Sequence, residues 1–481
     1  MRNGVLSYAR SALSLFHSAL LCACFSGCAL QRYEPAPLDP AAAAQAFDSR
    51  AVDAPGLKDY FVAHGHPAAR WPVQRWDLDA LTLLAFYFHP DLELARAQAK
   101  AARADVAVAT QRPPIGITPL IQHHSLTTPE QTSPWSVGFG VEIPLVSGTR
   151  REATQARYVY LADAADLQVG SVAWTVRSAV RLKLLDYYVA AGTVALLAAE
   201  VEQRTRLVGL LERRLEAGAV SRIDVSNARL AQAEIEAQVR AAQLAQVRSR
   251  AALAQALGLP LSAVQAMTFD FAAFEQTPMP AGDAGTQRAA LLNRLDVRAK
   301  LLEYAAADAA VKLEIARQYP TFSISPGYLW DQSDNVWSIA ATVLLPAGGN
   351  KPAIGAAQAR REVAAREFLS LQDRVISEAE GAEARYRQAV EGASGSQRVV
   401  ELRAARDLDT KKQFDAGYAD RVELTLTQIE TLTAQRNALA VAGEAQRALG
   451  ALEDALQIPL TGGPLPGWND NSALAPGLAA Q

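Results

Sequence analysis

Two kinds of residue in this chain have the type and spacing to do chemistry. The first is cysteine. All three, Cys22, Cys24 and Cys28, lie within the first 28 residues. Cys28 follows Ser26-Gly27 and a mostly apolar run at 12–24, with Arg2 and Arg10 ahead of that run and polar chain just after the cysteine. A positive start, a short apolar stretch and small residues before a Cys form a secretory signal, too short to span a bilayer. It ends where a thiol can be acylated, by chains such as palmitate, and become the mature N-terminus. Cys28 is the expected site of lipid attachment, Cys24 behind Leu21-Cys22-Ala23 is the competing site, and cleavage without a lipid is the plain alternative. No Asp follows Cys28, which directs an anchored chain to the outer membrane of a Gram-negative bacterium.

The second kind is a pair of carboxylates in a repeated motif. "EAGAVSRID" occupies 216–224 and "DAGYADRVE" occupies 415–423. In each, an acid-Ala-Gly is followed six residues after the Gly by another acid, Asp224 or Glu423. Gly218 and Gly417 are 199 positions apart, and so are Pro260 in Leu-Pro-Leu and Pro459 in Ile-Pro-Leu. Two landmarks at one offset indicate a duplication of roughly 200 residues. Such acids can offset the positive N-terminal end of a helix that starts beside them.

Other chemistry is missing. His64 and His66 have no third ligand at usable spacing, and His123-His124 reads as two solvent-facing histidines in a strand or loop, not as catalytic groups. There is no nucleophile with a base, no metal-ligand cluster and no phosphate loop, so no catalytic residues, metal or cofactor are expected and the chain is not read as an enzyme. A net charge of -3 over 481 residues offers no basic field for nucleic acid. With no thiol beyond position 28, disulfides cannot hold the fold.

The elements that position the repeated motif follow from periodicity. Asp77 can cap a helix through "LDALTLLAFYF", His89-Pro90 interrupts it, and a second helix runs on to Pro113-Pro114. "LLNRLDVRAKLLEYAAADAAVKLEIARQY", ended by Pro320, is its counterpart in the second half. The period then changes from about 3.6 to 2. In "WSVGFGVEIPL", "FSISPGYLW" and "NVWSIAATVLL" apolar and aromatic residues alternate with small or polar ones, while 115–128 alternates less cleanly. Each half therefore offers a hairpin with one apolar face, the pattern of outer-membrane strands; two soluble hairpins on a core are the alternative. The best uncharged run for a helical span, 187–199 between Asp186 and Glu200, falls short of the ~20 residues needed, so a bilayer would be crossed by strands. Beyond the hairpins, 150–216 and 353–415 carry no Pro, and each is followed by a return helix of about 40 residues. Gly218 and Gly417 are then helix-to-helix turns, with Ser221 and Asp420 placed to cap the return helices.

This gives a signal at 1–27, a lipid-anchored extended segment at 28–75, a first repeat at 76–261, a connector at 262–285, a second repeat at 286–460 and a tail at 461–481. Four strands cannot close a barrel, and open edges in lipid leave unpaired amides. Identical chains must pool strands: two copies give eight and three give twelve.

The two tips, "LEAGAVSRIDVSNARLAQAE" and "FDAGYADRVELTLTQIETLTAQ", resemble those of the TolC family of outer-membrane efflux proteins, and "CALQRYEPAPLDP" resembles the lipoprotein branch of that family. The resemblance covers about 75–460. It implies a mainly α fold with a membrane β-hairpin pair: a trimeric 12-stranded β-barrel continued by a long periplasmic α-helical barrel. It implies an exit duct of a tripartite export system, with a homotrimer held in outer-membrane lipid and joined through a periplasmic adaptor to an inner-membrane pump. Asp224 and Glu423 match its periplasmic gate acids. Gly218, Ser221, Arg222, Gly417, Asp420 and Arg421 stand at the tips where the adaptor would touch. The family's second acidic position falls on Leu426 and a basic one on Ala419, which leaves Arg222 and Arg421 as nearby substitutes. The alternative is a periplasmic, lipid-anchored coiled-coil scaffold without a channel.

Overall fold

The computed structural model describes residues 32–66, 71–125, 133–275, 278, 288, 294–332, 334–346 and 349–460. The signal, Cys24, Cys28, much of the connector and the tail lie outside them. The chain divides into units 1–49 and 50–481. In the first, helix α1 (Pro40–Asp48) starts where Asp39 accepts a hydrogen bond from the amide of Ala41 and Pro40 opens the first turn.

In the second unit, α2 (Leu57–Ala63) precedes α3 (Leu78–Phe88), whose cap is Asp77, its carboxylate accepting from the amide of Ala80. Pro90 forbids continuation, so α4 (Pro90–Ala109) restarts with His89 as its cap. Strands β1 (Gly116–His123) and β2 (Trp135–Leu145) follow, then α5 (Gly148–Glu216), α6 (Arg222–Leu257) and the short α7 (Leu261–Gln265). The second repeat runs α8 (Leu295–Ala316), β3 (Thr321–Asp331), β4 (Asp334–Leu344), α9 (Lys351–Asp415) and α10 (Arg421–Leu456). With 69 residues, α5 is about 100 Å long at 1.5 Å per residue. Such a helix is held by lateral neighbours: α4, α6, α8 and α10 pack along it, and α9 packs on α8 and α10.

One expectation is corrected here. A stretch of α5 is long and apolar enough, by composition, to cross a membrane. In the sequence, charges on either side of 187–199, Asp186 and Glu200, break that stretch up. Part of that apolarity serves packing: Leu184, Leu185 and Leu197 of α5 are buried. The largest core also takes in residues read as an extended lead. Leu57 and Phe61, one turn apart on α2, are buried with Trp76, Leu84 of α3, Val180 of α5, Leu253 of α6 and Phe269. Trp76 pairs with the 268–270 segment, donating to the carbonyl of Thr268 and accepting from the amide of Asp270.

The four strands form one antiparallel sheet in the order β1-β2-β3-β4, so β2 and β3 join the repeats while β1 and β4 are its edges. Beneath it, Arg150 donates from Nε to the carbonyl of Ala316 and from Nη1 and Nη2 to Thr321 Oγ1 and the carbonyl of Tyr319, at 3.0, 2.8 and 2.5 Å. Asn350 likewise donates to the carbonyl of Glu314. Carbonyls at the end of α8 are thereby satisfied; α5 is fixed to the end of α8 and the start of β3, and the start of α9 to the end of α8.

Candidate functional site

Both tips are built by the same local rules. Gly218 (φ +73°) and Gly417 (φ +80°) occupy the left-handed region that ends a helix. The amide of Ala219 reaches the carbonyl of Arg214 at 2.8 Å and the amide of Tyr418 reaches that of Gln413 at 2.8 Å, closing the last turn of α5 and of α9. The return helices start differently. At the first tip Ser221 is the cap and Asp224 completes a capping box: its Oδ2 accepts from the amide and hydroxyl of Ser221 at 2.9 and 2.7 Å. At the second tip the acid is itself the cap, Asp420 Oδ1 accepting from the amides of Val422 and Glu423 at 2.7 and 2.9 Å.

The two candidate gate acids therefore differ. Hydrogen bonds from the side chain and then the backbone of Ser221 hold the carboxyl of Asp224 below its usual range. Glu423 is exposed and has no ion pair among the described residues. Arg421 lies over the ring of Phe414 at 5.5 Å, and Arg222 is exposed. Arg214, which the sequence reading did not single out, bridges the tips through Asp420 Oδ2 at 2.9 Å. The amides of Glu423, then Arg214, hold the Asp420 carboxyl below its usual range.

That bridge is the outermost of several contacts between α5 and α10. Arg436 reaches the buried Glu200 at 3.3 Å, and Arg447 reaches Asp186 at 3.1 Å. Nearer the sheet is a buried cluster. Glu453, 0 % exposed, places Oε2 at 3.3 Å from both Arg177 Nη1 and Arg181 Nε, and its Oε1 accepts from the amide of Leu460. Arg181 also donates to the carbonyl and side chain of Gln446, while Asp454 accepts from Trp174 Nε1 and Ser178 Oγ. Burial pushes the Asp454 carboxyl up, against the hydrogen bonds from Ser178 and Trp174. Arg177 and Arg181 one turn apart in an apolar stretch of α5 were a readable signal; their partner 272 residues beyond Arg181 was not.

On the sheet, Trp135, Val137, Phe139, Phe322, Trp337 and Ile339 stand exposed on one face. Ser136, Gly138, Ser323, Ser325 and Ser338 fall on the other by the strand register. A second exposed apolar stripe runs along α6: Ile223, Leu230, Ala237 and Leu244 recur every seven residues, with Val247 beside them.

Residues 86–259 match the family model of the outer membrane efflux protein. The chain carries an outer membrane efflux protein domain in a TolC-family fold. That fold continues through the second repeat. The outer-membrane channel OprN superposes with a TM-score of 0.64 at 20 % identity, covering 89 % of this chain and 99 % of that one. The outer membrane protein VceC of Vibrio cholerae gives 0.62 at 17 % identity, covering 79 % and 95 %. The open state of the Neisseria gonorrhoeae MtrE outer membrane channel gives 0.63 at 16 % identity, covering 79 % and 89 %. No curated protein sequence matches the chain significantly.

Proposed function

We propose that this efflux protein is the outer-membrane exit duct of a tripartite export system, passing small molecules or ions from the periplasm or a pump to the exterior. The observation that carries the reading is the sheet: four strands with an exposed apolar face and two unpaired edges, β1 and β4. In lipid every strand amide must be paired, so β4 of one copy meets β1 of the next, and three copies close twelve strands. The heptad stripe of α6 supports the same ring below, offering a neighbouring copy the seam that knobs-into-holes packing needs. Cys28 anchors the mature chain in outer-membrane lipid, the tips around Gly218 and Gly417 face a periplasmic adaptor, and the exposed Glu423 carboxylates, one per copy, ring the periplasmic mouth with Asp224 nearby. The duct performs no chemistry; the pump supplies the energy.

Purified full-length protein reconstituted in planar bilayers should show discrete conductance steps and a native mass of three chains. A Cys28→Ser variant should stay in the detergent fraction of membranes. Release of that variant into the aqueous fraction, as a monomer without conductance, would establish the coiled-coil scaffold instead.

A further inference from the structure

The end of the sheet farthest from the helices holds a polar cluster that the duct reading does not use. His124 follows β1, and its amide donates to the carbonyl of Pro134 at 2.7 Å, so it extends the ladder by one position. Its Nε2 lies 2.7 Å from Ser136 Oγ and 3.4 Å from Asp331 Oδ1. Ser136 is fully buried and donates its single hydroxyl proton to Asp331 Oδ1 at 2.5 Å. The serine oxygen is therefore the acceptor toward His124, which fixes the neutral imidazole as the Nε2–H tautomer. The chain of donors runs from His124 through Ser136 to Asp331, from the first repeat across β2 to the second. This is no nucleophilic triad, because the carboxylate takes the serine proton directly and does not orient the imidazole.

The register places this cluster on the small-residue face. Ser136 pairs with Asp331, and Asp331 pairs with Asp334, while Trp135 and Trp330, one position along, lie on the apolar face. The only Asp, Glu, Lys or Arg within the four strands are Glu142, Asp331 and Asp334, all acidic and all on this face. The titratable groups around His124 are Asp331 on β3, Asp334 beside it on β4, and His123 on β1, whose ring instead packs on Trp135 at 4.6 Å. Glu130, in the β1–β2 connection, lies outside the described residues.

We propose that His124 is a proton-responsive charge setter at the outer mouth of the duct, an inference that rests on the duct reading. When neutral, it leaves two carboxylates per chain, Asp331 and Asp334, facing the lumen. A proton taken from the external medium onto Nδ1 makes an imidazolium paired with Asp331, and the mouth loses half its formal charge. Imidazoles are the side chains that ordinarily make this change between about pH 5 and 8. The preference of the channel for cations therefore falls as the outside acidifies.

Two measurements on the full-length protein test this. In bilayers under a KCl gradient, the wild-type cation-to-anion permeability ratio should drop about twofold from pH 8 to pH 5 with one inflection. His124→Gln should hold a flat, cation-preferring ratio. An inflection of unchanged size in His124→Gln, or none in the wild type, overturns the proposal. In detergent, histidine-labelled protein followed by NMR should show the resonance missing from His124→Gln displaced in Asp331→Asn, because the two side chains are in contact. An unmoved resonance overturns it as well. Absence of any conductance, with the His124 resonance still displaced in Asp331→Asn, would instead sink the duct reading while leaving the contact between His124 and Asp331 in place.

Discussion

Glu453→Ala tests the idea that a buried charge cluster holds the two repeats in register. The substitution removes the carboxylate lying 3.3 Å from both Arg177 and Arg181, which are 2 % and 3 % exposed. Two guanidinium groups then share a dry interface with Asp454, whose own carboxyl is pushed toward neutrality by burial. Breaking such a buried pair by removing one partner costs about 3–5 kcal/mol. An unfolding entropy of roughly 2.1 cal/mol/K per residue gives about 1 kcal/mol/K for a chain of 481 residues. The melting temperature should therefore fall by about 3–5 °C. The assay is thermal unfolding in detergent, read by the helical circular dichroism band and by tryptophan fluorescence, since Trp174 donates to Asp454 and lies 5.1 Å from the Arg177 guanidinium. Replacing Arg177, Arg181 and Glu453 together by Met, Leu and Leu should restore or exceed wild-type stability, because no charge is then stranded. A Glu453→Ala protein melting within about 1 °C of wild type would refute the electrostatic account.

Three further outcomes are expected. A Cβ at Gly138 would lie 2.2 Å from the carbonyl oxygen of Tyr328, so Gly138→Val should prise β2 from β3 and remove heat-modifiable β structure on gels, while the helical dichroism band is retained. Ser221→Ala deletes one half of the first capping box and should destabilise the start of α6 by ~1 kcal/mol, seen as faster amide exchange at Asp224 and Val225 with little change at the second tip. The Asp420 carboxyl is held below its ordinary 3.8 by the Glu423 amide and then Arg214. A depressed carboxylate contributes stability above its ordinary value and loses it as pH falls through the folded one. Protection of the Val422 and Glu423 amides should therefore be flat from neutral pH to about 5 and decline only in stronger acid.

Much of this protein can be read from local rules. Pro90, Pro113 and Pro320 mark helix ends because a proline can neither donate an amide nor tolerate the preceding turn. The period-2 stretch 135–145 coincides with β2, and Gly218 and Gly417 stand where the chain needs a positive φ. The matched 199-residue offsets between repeats gave two equivalent helical hairpins, which the structure contains. These features depend on residues within a few positions of one another, so one sequence suffices to find them.

What tertiary structure decided concerns partners distant in sequence. Whether Asp224 or Glu423 is free depends on which neighbouring side chain caps the helix, and Ser221 engages the first while Asp420 supplants the second. Arg214 meets Asp420, and Arg181 meets Glu453, only because α5 and α10 lie side by side. Leu57 and Phe61 looked like a tether and became core, because the segment at 268–270 pairs with Trp76 and closes a hydrophobic chamber over them. Periodicity shows which face of an element must be covered; only packing reveals what covers it, since burial energy is satisfied by any apolar partner of suitable shape.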